Sequence, residues 1–231
     1  METIHIQSFV SAPPDRVWAQ LVGRPDIVLD ALPVQAWPDQ RLESAPTRLQ
    51  VRWPFSSGGT ATTSVIITLA EVSGGTRVDL KHEGWHEEPG WQDAIAGHFA
   101  GWLQSLAALG LLVESGKDPR ATSAALAGQE RYFASAEIPA GTDAVFRALA
   151  DAEVRARWAD GALDGAALAD SLDGRFLRFT LDAEQGAGEL VVILRRTPRG
   201  THCALAEYGV QDRSASGRWP RLLERLARFL R

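Results

Sequence analysis

The sequence predicts an α+β protein made of two tandem copies of one domain. Each copy is expected to be a curved antiparallel sheet wrapped around a long C-terminal helix. Two observations carry this prediction. The first is an internal repeat with an offset of about 125 residues, and the second is a run of short alternating segments before one long amphipathic segment in each half. Solenoid repeats have much shorter periods, so the repeat indicates duplication of a whole domain.

The repeat consists of three matches in the same order. Residues 10–21 (VSAPPDRVWAQL) return as residues 138–149 (IPAGTDAVFRAL). Residues 75–80 (GTRVDL), followed by Gly84, return as residues 200–205 (GTHCAL), followed by Gly209. The segment around Trp102 returns in the segment around Trp219. The offset in residue number changes from one match to the next only by the length of a loop, as expected for two diverged copies.

In the first half, alternation and turn residues predict an opening strand over Ile4–Phe9 and a short helix begun by Pro13-Pro14-Asp15. The apolar residues of the next predicted strand, Thr47–Phe55, all point to one side. Two more strands are predicted over Thr62–Val72 and Thr76–Glu83, joined by the turn at Ser73-Gly74-Gly75, and a long helix over Glu87–Val113. One face of this helix carries Ile95, Phe99, Trp102, Leu106, Leu109 and Val113.

The second half repeats the plan. The predicted strands are Tyr132–Ile138, Arg175–Leu181, Glu189–Thr197 and Thr201–Val210; Thr142-Asp143 opens the short helix and Arg218–Leu230 is the closing helix. The stretch between the halves contains Gly116 and Pro119 and is rich in alanine. We therefore predict a first domain at 1–115, a linker at 116–130 and a shorter second domain at 131–231.

These motifs resemble the START/SRPBCC superfamily, and most closely its branch named after the activator of heat-shock-protein-90 ATPase. The resemblance lies in VSAPPDRVW near the start, GGTRVDLKHEG in the last strand and GWLQSL in the final helix, and it extends over both halves. It implies the helix-grip fold, also seen in the birch-pollen allergen, with an apolar cavity between sheet and helix. The fold hosts lipid carriers, polyketide cyclases, chaperone activators, toxin-sequestering resistance proteins and hydroxylase subunits, so it implies no single activity.

Composition narrows the choice of partner. The net charge of -5 argues against a nucleic-acid partner, because phosphate binding needs a basic face. Met1–Leu21 lacks the charged-then-apolar pattern of a leader, and no run of eighteen apolar residues occurs, so we expect a cytoplasmic protein without a membrane partner. The single cysteine, Cys203, allows no internal disulfide and is expected to be a packed thiol. Neither a cofactor nor a metal is predicted, and a protein partner stays unknown.

Aromatic side chains mark the predicted ligand site. Six of the eight tryptophans lie in the first half. Flat aromatic walls suit a large planar or polyene-like ligand, although aromatic stripes at helical or strand spacing are also typical of core packing. The predicted ligand-binding residues are Trp53, Phe55, His82, Trp85, Trp91, Phe99 and Trp102 in the first half, with Phe179, Tyr208 and Trp219 in the second.

His82 is the one candidate for catalysis. Alternation places it on the inward side of its strand, and Glu207 occupies the equivalent position of the second half. It is a candidate ligand anchor or general acid–base, with a buried structural hydrogen bond as the alternative. His86, His98, Glu83 and Asp93 are expected near it, but no HExxH or comparable spacing indicates a metal site.

Three functions follow as hypotheses. The first is a binding protein for a hydrophobic small molecule, such as a lipid or an aromatic, polyketide-type or enediyne-like natural product, for carriage or self-resistance. The second is a cyclase or aromatase-like enzyme that uses His82 with Glu83 or Tyr208. The third, implied by the family name, is a co-chaperone of a heat-shock ATPase. Eukaryotic activators, however, join a different N-terminal domain to one helix-grip domain, whereas this chain carries two helix-grip copies.

Overall fold

The protein consists of two compact units, Met1–Asp118 and Pro119–Arg231. The computed structural model describes residues 3–24, 41–54, 62–85, 91–119, 131–181, 188–209 and 217–231. The two units meet in sequence inside the stretch predicted as a linker, most of which lies outside the described residues. Each unit is an antiparallel five-stranded sheet with helices, so the predicted α+β fold class is confirmed.

The first unit contains the strands and helices β1 (Ile4–Val10), α1 (Pro14–Gly23), β2 (Arg41–Ser44), β3 (Arg48–Pro54), β4 (Thr62–Val72), β5 (Gly75–Glu83) and α2 (Trp91–Ser115). The strand order is β1-β5-β4-β3-β2. Burial alternates along β4 and β5, so one face of this sheet is buried and the other is more exposed. Both α1 and α2 pack within this unit, and α2 contacts the strand β1 and the helix α1.

The second unit contains β6 (Arg131–Ile138), α3 (Thr142–Ala150), α4 (Ala152–Ala156), β7 (Ala167–Leu172), β8 (Phe176–Thr180), β9 (Glu189–Thr197), β10 (Gly200–Tyr208) and α5 (Arg218–Phe229). Its order, β6-β10-β9-β8-β7, is the order of the first sheet. One continuous apolar core joins its inner strand face to the helices, and Cys203 lies fully buried within it, as predicted. Burial raises the pKa of this thiol to about 12, which keeps it protonated and unreactive at neutral pH.

The same local contacts recur in both units at the start of the last strand. Gly75 in one unit and Gly200 in the other lie so close to the end of the paired strand, β1 or β6, that an added Cβ would sit 2.2 Å from a carbonyl oxygen, that of Val10 or of Ile138. The next residue, Thr76 or Thr201, donates its hydroxyl to the carbonyl oxygen of Ala12 or Ala140 at 2.7 Å. These paired contacts explain why the glycine–threonine motif appears twice in the sequence.

The long helix α2 is the apolar centre of the first unit. Its stretch Ala94–Ser115 is long and apolar enough to cross a membrane by length and composition alone, with a mean hydropathy of 1.3 over its best window. Here it packs on β1 and α1, and side chains such as Trp102, Leu106 and Leu109 are buried. These contacts make α2 a core helix of the first unit.

Three features differ from the sequence prediction. Strands β2 and β7 and the short helix α4 were not assigned individually; β7 is largely exposed. Phe99 shares the predicted apolar helix face yet is 43% exposed. Arg178, on the predicted strand Arg175–Leu181, is 4% exposed despite its charge, and its guanidinium lies 3.7 Å from the carboxylates of both Asp170 and Glu189. Strand β8 is buried on both faces, which places that arginine inside the protein.

Candidate functional site

His82 lies on the inner face of the first sheet, as alternation predicts. It sits near the end of β5, where the backbone register pairs it with Ile4 on one side and Val65 on the other. Both neighbours are buried, and His82 itself is fully buried. A positive-φ glycine, Gly84, then turns the chain, and Gly209 adopts the same conformation at the equivalent point of the second unit.

The hydrogen bonds of His82 define its tautomer. The indole Nε1–H of Trp102, which can only donate, points to Nδ1 of His82 at 3.0 Å. Nδ1 therefore accepts, and the proton of the neutral imidazole is on Nε2. That nitrogen lies 2.6 Å from Oγ1 of Thr63, which accepts the hydrogen bond. Both ring nitrogens of His82 are thus engaged by the protein.

Burial keeps this imidazole neutral. Desolvation, followed by the nearby charge of His98, lowers the pKa of His82 to about 3. The pKa of His98 is also lowered by burial. Its Nδ1 donates to the carbonyl oxygen of Ala94 at 2.7 Å, since a carbonyl can only accept. At neutral pH the site is therefore polar but uncharged at both histidines.

Aromatic rings surround His82. The ring centroid of Trp85 lies 4.3 Å away, that of His98 5.2 Å away and that of Trp102 5.8 Å away. The indole N–H of Trp85 donates to the backbone carbonyl of His82 at 2.9 Å. We call His82, Trp85, His98 and Trp102 the imidazole–indole cluster. Because the ring N–H groups of these four residues are all hydrogen-bonded within the protein, the cluster presents ring surfaces rather than free donors.

The first turns of α2 leave apolar surface uncovered beside this cluster. Ile95 is half-buried and Phe99 is exposed, whereas Trp102 and Leu106, further along the same helix face, are buried. Residues three and four apart on a helix are neighbours, so Phe99 lies close to His98 and Trp102 on the helix surface. An apolar helix face thus continues from solvent to the buried rings.

The second unit builds the equivalent position with charges. Trp219, the counterpart of Trp102, donates its indole N–H to Oε2 of Glu207 at 2.5 Å. Arg218 pairs with the other oxygen of the same carboxylate, and its guanidinium lies 4.4 Å from the Trp219 ring. The predicted equivalence of His82 and Glu207 is thus met by the same indole-to-strand hydrogen bond, with a neutral acceptor in one unit and an ion pair in the other.

The other predicted residues of the second unit lie on two different faces of its sheet. Phe179 and Trp219 are fully buried in the continuous core, and the guanidinium of Arg155 lies 5.2 Å from the Phe179 ring. Tyr208 follows Glu207 on β10 and so points to the opposite face of the sheet, where Arg131 lies 5.4 Å from its ring. These three residues do not line one cavity.

Part of the predicted site lies outside the described residues. Phe55 and His86 belong to that part, and of Trp53, Trp91 and Asp93 only the backbone is described. The backbone of Trp53 pairs with Thr63, next to the imidazole–indole cluster, and Trp91 begins α2. Among the described residues, no group of three or more metal-ligating side chains converges. Thr63 was not predicted as a site residue. The sequence feature that could have identified it is the register between two adjacent strands.

These two curved sheets, each packed on a C-terminal helix, define a tandem helix-grip protein. Its motifs and fold are similar to those of the START/SRPBCC superfamily. Residues 43–114, within the first unit, match the model of the family described as Activator of Hsp90 ATPase homolog 1-like protein. No curated protein matches the chain.

Several solved structures are similar. DynU16, described as a protein in the dynemicin biosynthetic locus, is 18% identical over 100% of both chains, with a TM-score of 0.44. Protein CV1439 from Chromobacterium violaceum is 22% identical over 49% of this chain and 99% of its own, with a TM-score of 0.39. CalU16 from Micromonospora echinospora is 20% identical over 51% of this chain and 76% of its own, with a TM-score of 0.37.

Proposed function

We propose that the protein binds a hydrophobic small molecule in its first unit, against the imidazole–indole cluster and the exposed apolar face of α2. The observation that carries this proposal is the apolar path from Phe99 to the buried rings of Trp102 and His82. Small-molecule sites are typically concave and apolar, with few polar groups. Ring surfaces favour a planar or polyene ligand over a fully saturated one.

The comparison between the two units supports this choice of site. Where the first unit places a neutral imidazole, the second places a carboxylate paired with Arg218. A buried ion pair disfavours an apolar guest, because separating or desolvating its charges is costly. We therefore assign ligand binding to the first unit and a structural role to the second. The role we propose is carriage or sequestration of a lipid or an aromatic, polyketide-type or enediyne-like compound in the cytoplasm.

The geometry gives less support to catalysis by His82. A general base needs an accessible nitrogen with a pKa near the working pH. Both nitrogens of His82 are hydrogen-bonded within the protein, and its pKa is lowered to about 3. The co-chaperone hypothesis draws on the family match at residues 43–114. Stimulation of a heat-shock ATPase by the purified protein would favour it over small-molecule binding.

Native mass spectrometry of the purified protein, before and after organic extraction, tests the proposal first. We expect an additional mass that extraction removes. A fluorescence titration with the neutral probe N-phenyl-1-naphthylamine then measures binding directly. Phe99→Asp should weaken probe binding about tenfold or more, because it places a charge on the apolar path.

Phe9→Asp is the matched control. Phe9 lies in the same unit and is also 43% exposed. Its side chain, however, is on the face of β1 opposite to the face that carries the buried Val10. It should leave probe affinity unchanged. Equal loss in the two variants, or no probe binding by the wild-type protein, would contradict the proposed site.

A further inference from the structure

The second unit carries a groove on the side of its short helices. It has a volume of about 530 Å³ and lies between α3, α4 and the end of α5. This volume falls within the usual range for small-molecule sites. The groove lies at the outer edge of the continuous core, to which its lining residue Ala148 belongs, whereas Phe179 and Trp219 are enclosed inside that core.

The two C-terminal helices differ in how far they extend beyond their equivalent tryptophans. In the first unit, α2 continues from Trp102 to Ser115, and Glu114 accepts a hydrogen bond from the backbone N–H of Ser11 beside α1. In the second unit, α5 continues from the equivalent Trp219 only to Phe229, about one turn less.

The floor of the groove is apolar. Ala144, Ala148, Val154 and Leu230 line it, together with Phe229, which is 40% exposed. The Phe229 ring stacks on Trp158 with a centroid distance of 6.5 Å, and the Trp158 indole is held by a hydrogen bond to the carbonyl oxygen of Ala148. This packing holds an exposed aromatic ring in a defined position.

The charged residues of the lining have an excess of positive charge. Two arginines, Arg147 and Arg157, face a single carboxylate, Asp151. One oxygen of Asp151 already accepts the backbone N–H groups of Glu153 and Val154 at the start of α4. Nε of Arg147 donates to the backbone carbonyl oxygen of Asp143 at 3.3 Å, and the guanidinium of Arg157 lies 5.8 Å from the centre of the Phe229 ring. Guanidinium groups bind carboxylates by paired N–H donors.

We propose that this groove binds a monocarboxylate with an apolar aliphatic or aromatic body. The apolar part lies against Ala144, Val154 and Phe229, and the carboxylate is held by Arg147 and Arg157. This site is additional to the hydrophobic site proposed for the first unit, and its ligand differs in charge.

Octanoate and its neutral counterpart 1-octanol are the probes for this site. Titration into the isotopically labelled full-length protein, followed by ¹⁵N–¹H spectra, should shift the amides of the groove residues with octanoate. Arg147→Gln and Arg157→Gln should each weaken octanoate binding about fivefold, as expected for loss of an exposed charge–charge contact. Binding of 1-octanol should be weaker than that of octanoate and insensitive to both substitutions.

Arg199→Gln is the matched control, since Arg199 is an exposed arginine in the turn between β9 and β10. Shifts confined to the first unit, or equal octanoate affinity in all three arginine variants, would overturn the proposal. N-phenyl-1-naphthylamine binding is measured in the same variants. If the arginine variants keep their affinity for N-phenyl-1-naphthylamine while octanoate binding weakens, the two sites are independent. If the wild-type protein does not bind N-phenyl-1-naphthylamine, this result counts against the first-unit site alone.

Discussion

A tryptophan of the C-terminal helix donates its indole N–H to the last strand in each unit, but the acceptors differ. In the first unit the acceptor is a neutral imidazole, and in the second it is a carboxylate that also pairs with Arg218. Both hydrogen bonds are buried, where an unmet polar group is costly. The duplicated protein has thus kept one helix-to-strand link while changing the charge around it.

Loss of the His82 side chain should destabilise the first unit. His82→Ala removes the acceptor for Trp102 and the donor to Thr63 and leaves a cavity among the rings, so we expect a loss of ~2–4 kcal/mol in the free energy of unfolding. Urea denaturation followed by circular dichroism measures it. His5→Ala, at a side chain 46% exposed, should cost far less. Equal costs would show that the His82 hydrogen bonds contribute little.

The protein should lose stability on mild acidification. The folded pKa of His82 is about 3, below its ordinary value of 6.5, so the unfolded state binds more protons between these pH values. This contribution is complete above pH 6.5 and is lost progressively as the pH falls toward 3. His98, whose pKa is also lowered, acts in the same direction. Melting temperatures from pH 7.5 to 4 should fall less steeply for His82→Gln than for the wild-type protein.

At the level of the strands, the close approach of β1 to β5, and of β6 to β10, depends on one glycine in each unit. Gly75→Ala or Gly200→Ala places a Cβ 2.2 Å from a backbone carbonyl oxygen, which cannot move without disturbing the preceding strand. We expect each substitution to cost ~1–3 kcal/mol or more. Gly97→Ala, where α2 leaves open space, should instead stabilise by ~0.5–1 kcal/mol. Thermal melting of the three variants distinguishes these signs, and a neutral Gly75→Ala would contradict the packing argument.

The strands that were predicted from sequence are those with a strong burial signal. β4 and β9 have the predicted ends, because a buried inner face imposes alternation or a continuous apolar run. β7 is largely exposed, and so are Glu43 and Ser44 of β2. Little apolar burial is needed to hold such a strand, so its sequence carries little pattern.

The site was predictable only in part for a related reason. Strand alternation places His82 inward, and helical spacing places Trp102 opposite it, so their contact follows from two local patterns. The role of Thr63 depends on the register between β4 and β5, which neither strand specifies alone. The exposure of Phe99 depends on how far neighbouring chain covers the start of α2, and local periodicity contains no such information.

Over the whole molecule, duplication has produced two units with one topology and different interiors. The first has an uncharged imidazole–indole cluster with apolar helix surface beside it. The second has a continuous core, an ion pair at the equivalent position and a groove on its short helices. Both units keep the hydrogen bond from the tryptophan of the C-terminal helix to the last strand. The two units therefore differ in the kind of ligand that each can bind. This difference predicts separate ligands for the two units.

Matched substitutions of the two equivalent tryptophans test this division. Trp102→Phe and Trp219→Phe each remove an indole N–H from a buried acceptor while keeping an aromatic ring, so each should cost ~1–3 kcal/mol of stability. Only Trp102→Phe should also weaken binding of N-phenyl-1-naphthylamine, because only that indole belongs to the imidazole–indole cluster. Urea midpoints and probe titrations measure the two effects on the same samples. If Trp219→Phe weakened the probe as much as Trp102→Phe, ligand binding would not be confined to the first unit, and the charged interior of the second would have to admit an apolar guest.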